Sequence, residues 1–188
     1  MKHLTAFKLF ENLNNPIGIE QFISNIGIPS NKRQRIIEWW NQNRSHIRIH
    51  YFSFSSPQPI AGVFLGVDEI AINQRLPMPP HVKLFLSLHE SAHCDQHRQE
   101  RFMEEYYNTV VRGDKETFLQ NYRRLEREAN DFAINSMREI GFEVEMRMEE
   151  QRLRSNEGAG EMVYGMMRSD ISRLNPTDFI DLLKKQIL

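Results

Sequence analysis

Apolar residues recur along most of this chain at the three-and-four spacing of a helix, and one stretch near the middle departs from it. Phe7, Phe10 and Leu13 keep that spacing until Asn14-Asn15-Pro16 and Gly18 interrupt it. Ile19, Phe22, Ile23 and Ile26 resume it as far as Gly27. Pro29-Ser30 then offers a start for a helix carrying Ile36, Ile37, Trp39 and Trp40. From Ile47 the period changes to two, with Ile47, Ile49 and Tyr51 alternating with Arg48, His50 and Phe52. After the loop Ser55-Ser56-Pro57-Gln58-Pro59, two short apolar runs follow, Ala61 to Leu65 and Glu69 to Asn73. Three short strands with short links predict an antiparallel meander. His46 and His50 flank a strand without a partner at ligand spacing, so both are expected at the surface.

From Pro79-Pro80 onward the pattern is helical again, with proline well placed at a helix start. Val82, Phe85, Leu86, His89 and His93 share one face while Leu84 and Leu88 cover another, which predicts a buried helix. Arg112-Gly113-Asp114 marks a break. A second long amphipathic stretch follows with Phe118, Tyr122, Leu125, Ala129, Phe132, Ala133 and Met137, and Gly141 caps it. Phe142, Val144, Met146 and Met148 alternate with charged residues, consistent with a short strand. Beyond the small-residue tract Asn156 to Gly160, Asn175-Pro176-Thr177-Asp178 opens a last helix.

The 188 residues suit a single domain, 1–188, divided into an N-terminal helical segment (1–45), a core (46–141) and a C-terminal segment (142–188). Lys and Arg total 24 against 25 Asp and Glu, which argues against a generally basic nucleic-acid binder. A local patch remains, with Lys32, Arg33, Arg35, Arg44 and Arg48 beside Trp39 and Trp40. Its plainer meaning is a solvated face over two core aromatics. The single Cys94 excludes an internal disulfide framework and fits a reducing compartment. The longest uncharged run is broken by Ser and Pro, and Glu11 precedes any signal-like apolar run, so a cytoplasmic protein with no membrane partner is expected.

The chemistry is concentrated in His89-Glu90-Ser91-Ala92-His93, an H-E-x-x-H sequence inside the helical segment. Two histidines four apart lie one above the other, so both imidazoles can reach one ion. Glu90 projects about 100° away, beside the ion, where a base for water belongs. One Zn2+ is the natural occupant, since it takes neutral imidazole and tolerates a tetrahedral site with one open position. His97 invites a three-histidine alternative, but on a continuing helix it lies about 12 Å from His89, too far for a shared ion. Cys94 is rotated away and is expected as a small buried residue, and His81 at the helix start as a surface one. Farther on, Glu126-Arg127-Glu128-Ala129-Asn130 places a carboxylate and an amide one turn apart.

The segments EIAINQRL, VKLFLSLHESAH and EREANDFA together resemble the ImmA/IrrE family of gluzincin-type metallopeptidases, over roughly residues 47–133. The resemblance implies an α+β, mainly helical, zincin-like fold. In it a small antiparallel sheet packs on the H-E-x-x-H helix, with helical extensions at both termini. It implies His89, His93 and Glu126 as zinc ligands, Glu90 as catalytic base and Asn130 as the residue supporting a ligand. Glu128 also precedes Ala129 and competes for the third position; Glu126 is favoured because Asn130 then shares its face one turn on. For Glu126 to return level with His93, the motif helix must end or bend soon after His97. A straight helix to Arg112 would leave Glu126 roughly 10 Å out of place.

The activity implied is zinc-dependent hydrolysis of a peptide bond in a protein substrate, with Glu90 accepting the proton of the attacking water. A regulatory DNA-binding protein is the implied substrate, and Ile72 and Asn73 are the expected edge for an extended peptide. Tyr106, Tyr107, Tyr122 and Tyr164 are all candidates to stabilise the oxyanion. A non-hydrolytic zinc-binding regulatory module is the alternative function.

Overall fold

A computed structural model of the chain describes residues 13–53, 61–66 and 68–147. The expected helix through Phe7 and Phe10, the tract at 156–160, Tyr164 and the final helix from Asn175 lie outside the described residues. The described part is mainly helical with one small sheet, in the order α1 (Ile19–Ile26), α2 (Ser30–Asn43), β1 (Arg48–Phe52), β2 (Gly62–Gly66), β3 (Glu69–Asn73), α3 (Pro80–His97), α4 (Glu100–Arg112) and α5 (Lys115–Glu139). None of the described helices is long and apolar enough to cross a membrane.

The helices form where the apolar spacing places them. Ile19, Phe22, Ile23 and Ile26 are all buried on α1, and Ile36 and Trp40 on α2. The basic patch on and after α2 proves to be tied to protein groups. Lys32 Nζ donates to Gly141 O (3.1 Å) and pairs with Glu145 (3.3 Å), and Arg35 donates to Glu139 O. These cations satisfy carbonyls at the C-terminal end of α5, where the helix dipole favours positive charge. Arg44 pairs with Asp95 at 2.8 Å and lies over the Phe132 ring, and Arg48 pairs with Glu69 at 2.6 Å.

The sheet corrects the expected antiparallel meander. Its order is β1-β3-β2, with β1 and β3 parallel and β2 and β3 antiparallel, so it is mixed. The short link between β2 and β3 makes a hairpin, whereas the longer one after β1 lets β2 pass to the far side. β3, whose Ile70, Ala71, Ile72 and Asn73 are all buried, takes the centre, as strands apolar on both faces do. One face of the sheet joins α1, α2, α3 and α5 in the main core, while Phe52 and Ala71 pack on the other with Leu13, Val63 and Leu65. His50, expected at the surface, is buried on β1, with Nδ1 2.9 Å from Asn14 O. The incoming chain runs along the outside of β1 (Ile17 N to Ile49 O, 2.8 Å) and covers it.

α3 is the central element and packs on β2, β3 and α5. It stops at His97, where Arg98 is held by Asp95 (2.7 Å) and by Asp68 of the hairpin. α4 then leaves in a new direction, and Gly113 (φ 78°) supplies the left-handed residue at its end that lets α5 turn back. Asp114 caps α5 by accepting from Thr117 N at 3.1 Å. Val110, Phe118 and Leu125 bury a second small core between α4 and α5. After α5 the chain is helical over residues 143–147 and not a strand. Phe142 and Met146, one turn apart, are buried, while Val144 between them is 70% exposed.

Candidate metal centre

The end of α3 and the middle of α5 bring three side chains to one point. His89 Nε2 and His93 Nε2 are 3.1 Å apart, and Glu126 sets Oε2 at 3.5 Å from the first and Oε1 at 3.5 Å from the second. A tetrahedral ion with bonds of about 2.0–2.1 Å needs donor atoms about 3.3–3.4 Å from one another. The three observed separations bracket that value. His89, His93 and Glu126 could therefore hold a metal ion. Because α3 ends at His97, α4 absorbs the intervening chain and Glu126 returns level with the histidines, as the break expected after His97 requires.

The rear of each imidazole is arranged so that the lone pair faces inward. His93 Nδ1 is 2.7 Å from Gln96 Oε1, and Gln96 Nε2 donates to Leu125 O at 2.9 Å. His89 Nδ1 and Asn130 Oδ1 are both buried, and neither makes a hydrogen bond of ordinary geometry. They complement each other, and the Asn130 contact favours the charged imidazole. Burial, followed by the neighbouring His93, outweighs that contact and brings His89 down to about 3, so it is neutral at pH 7. A neutral imidazole with Nδ1–H turned outward is the form that binds a metal through Nε2.

Glu90 lies beside the histidines, buried against β2. Burial, with a smaller contribution from Glu126, pushes its carboxyl up to about 7, opposed by His93 and by the Phe64 backbone N–H. Gly62 makes this contact possible: a Cβ there would stand 3.0 Å from Glu90 Oε1 and 3.2 Å from its Cγ. A glycine in a short apolar strand is the sequence signal for such a close approach. The Phe64 ring also lines the site, 6.0 Å from that of His93.

The remaining candidates separate cleanly. Glu128 is outside the cluster and contacts Gln96 (3.3 Å) and Arg124 (3.9 Å). His97 is buried against Phe64, ring centroids 4.1 Å apart, and is not in the ligand group. Cys94 Sγ turns to the backbone oxygens of Glu90 and Glu69, and burial pushes its thiol up to about 12. His81 is half-buried at the start of α3. Tyr122 hydrogen-bonds Glu126 and feels Glu90, whereas Tyr106 stacks on Phe118 and Tyr107 approaches His97. Ile72 and Asn73 need correcting as the substrate edge: they belong to the central strand and are fully buried. The outer strand beside the site is β2.

Gln96 and Gly62 were not singled out from the sequence. Gln96 follows His93 by three positions, a spacing that puts both on one helix face. No family model, curated protein or solved structure matches the chain, so the centre is interpreted from its own chemistry.

Proposed function

We propose that this chain is a zinc-dependent endopeptidase of zincin-like architecture, with His89, His93 and Glu126 as ligands and Glu90 as the proton-transfer group. The observation that carries it is the convergence of three side chains, two imidazole nitrogens and the two oxygens of one carboxylate at contacts of 3.1–3.5 Å, with a buried carboxyl alongside. A divalent ion held there would supply a Lewis acid that acidifies water and polarises a carbonyl.

The chain's own residues do the rest. The Phe64 N–H fixes one side of the Glu90 carboxyl. The carboxyl takes a proton from an attacking water and returns it to the leaving amine nitrogen, a cycle suited to a group that titrates near neutral pH. Burial behind Gly62 and Phe64 keeps that carboxyl away from bulk solvent. Tyr122, coupled to both Glu126 and Glu90, is the described tyrosine best suited to donate to a developing oxyanion. An extended peptide would pair with the outer edge of β2. The resemblance to ImmA/IrrE metallopeptidases supports a protein substrate, with a DNA-binding regulator as the first class to test.

The experiment combines elemental analysis of the purified chain with digestion of a peptide library read by mass spectrometry, for wild type and Glu90→Gln. One zinc per chain in both, with cleavage in wild type alone, is the expected result. A wild type that binds no metal, or a Glu90→Gln variant that cleaves as well as wild type, overturns the proposal.

A further inference from the structure

Gln96 is a buried polar residue outside the ligand group, and its amide is fully used. Oε1 faces His93 Nδ1 at 2.7 Å, while Nε2 reaches Leu125 O at 2.9 Å and Glu128 Oε2 at 3.3 Å. Leu125 O can only accept, so the NH2 side of the amide must face it and Oε1 must face the imidazole. Oε1 can only accept in turn, so His93 carries its proton on Nδ1. The opposite tautomer would set two acceptors 2.7 Å apart. The lone pair of His93 is thereby left on Nε2, pointing at Glu126 and His89. The second bond lands on the residue before Glu126, so the same side chain ties α3 to the turn of α5 that carries the third ligand.

We infer that Gln96 is the positioning residue that couples the tautomer of His93 to the placement of Glu126, so that one amide assembles ligands from two helices. This rests on the proposal that His89, His93 and Glu126 form the metal site. Only a group with donor and acceptor at opposite ends can do both jobs. Glu at 96 could accept from His93 but would oppose its oxygens to Leu125 O and Glu128, and Met would do neither. Outer partners of metal-binding histidines alter affinity by roughly 10- to 100-fold when removed.

The test reads histidine tautomers by long-range 1H–15N correlation in zinc-free protein, and zinc affinity by chelator competition, for wild type, Gln96→Met and Gln96→Glu. Wild type is expected to show His93 protonated on Nδ1. Gln96→Met should lose that preference and bind zinc roughly 10- to 100-fold more weakly. Gln96→Glu should keep the tautomer yet still lose affinity, separating the tie to α5 from the tie to His93. A wild-type His93 protonated on Nε2 overturns the inference without the need for a folded variant, and so does a Gln96→Met protein with unchanged tautomer and affinity. Should wild type bind no zinc, the metal proposal fails by itself, while the zinc-free tautomer spectra still decide the role of Gln96.

Discussion

Two polar regions of this molecule are built on opposite logic. In the seam between α2 and the end of α5, donors meet acceptors: Lys32 with Gly141 O and Glu145, Arg35 with Glu139 O, and Trp39 Nε1 with Glu139 Oε2 at 2.7 Å. In the cleft between α3 and α5, acceptors face acceptors. His89, His93 and Glu126 converge at 3.1–3.5 Å; behind them the amide oxygens of Asn130 and Gln96 face the imidazole Nδ1 atoms as acceptors, and Tyr122 donates to Glu126. The seam joins groups of opposite character within the chain, whereas the cleft gathers a group that could hold a cation. Composition alone does not separate the two, since both are mixtures of charged and amide residues. The direction of the hydrogen bonds does.

The comparison predicts effects of very different size. Glu90→Gln should remove hydrolysis by roughly 10²–10⁴-fold or more while zinc remains bound, as turnover and metal analysis of one sample would show. Glu126→Gln should weaken zinc binding severely and remove most metal-dependent stabilisation, which for an ion at a thousand times its Kd is about 4 kcal/mol. Glu128→Gln should change both far less in the same melting and chelator titrations, because Glu128 lies outside the cluster and a Gln there keeps an oxygen to accept from Gln96. Gly62→Ala should cost roughly tenfold to a hundredfold in turnover with little change in zinc affinity, since the new methyl meets the Glu90 carboxylate and not the ligands.

A smaller effect appears in the pH dependence of the metal-free protein, followed by urea unfolding with chelator present. His89 and His97, brought by burial from 6.5 to about 3 and about 4, stay neutral when folded and protonate when unfolded. Their contribution is complete above 6.5 and is lost as pH falls. Glu90, raised from 4.5 to about 7, acts in the opposite sense, stabilising at low pH and losing that contribution as pH rises. Between 4.5 and 6.5 the unfolded chain takes up two protons where the folded one holds one. Through these three groups, stability should therefore fall on acidification, by roughly 1 kcal/mol per pH unit. His97→Phe should flatten that slope, and wild-type stability that rises on acidification would contradict it. In the seam, Trp39→Phe should cost about 1 kcal/mol by thermal melting and leave zinc affinity untouched.

What could be read in the sequence was what local spacing controls. α1, α5 and the start of α3 follow from the intervals between apolar residues and from Pro79-Pro80, Gly113 and Gly141. The end of α3 at His97 was legible only through the resemblance that set Glu126 beside His93, because residue counts then bar a straight helix from returning it there. Sheet topology was not, because strand neighbours depend on which run is buried on both faces, and Ile70 to Asn73 outcompetes Ile49 to Phe52 for the centre. The buried His50 depends on an acceptor 36 residues away, Asn14 O, which no local pattern contains. At residues 142–146 an alternation and a helical pair share Phe142 and Met146, and packing chose the helix. Gln96 escaped notice because its role lies in partners on α5, not in its own neighbourhood.

Zinc K-edge X-ray absorption on the zinc-loaded chain, compared with Glu126→Gln, addresses the central claim most directly. Two imidazole nitrogens and oxygen donors at about 2.0–2.2 Å, no sulfur, and a changed oxygen shell in the variant are the expected result. A sulfur scatterer at about 2.3 Å from Cys94, a third imidazole from His97, or a spectrum indifferent to Glu126→Gln would contradict it.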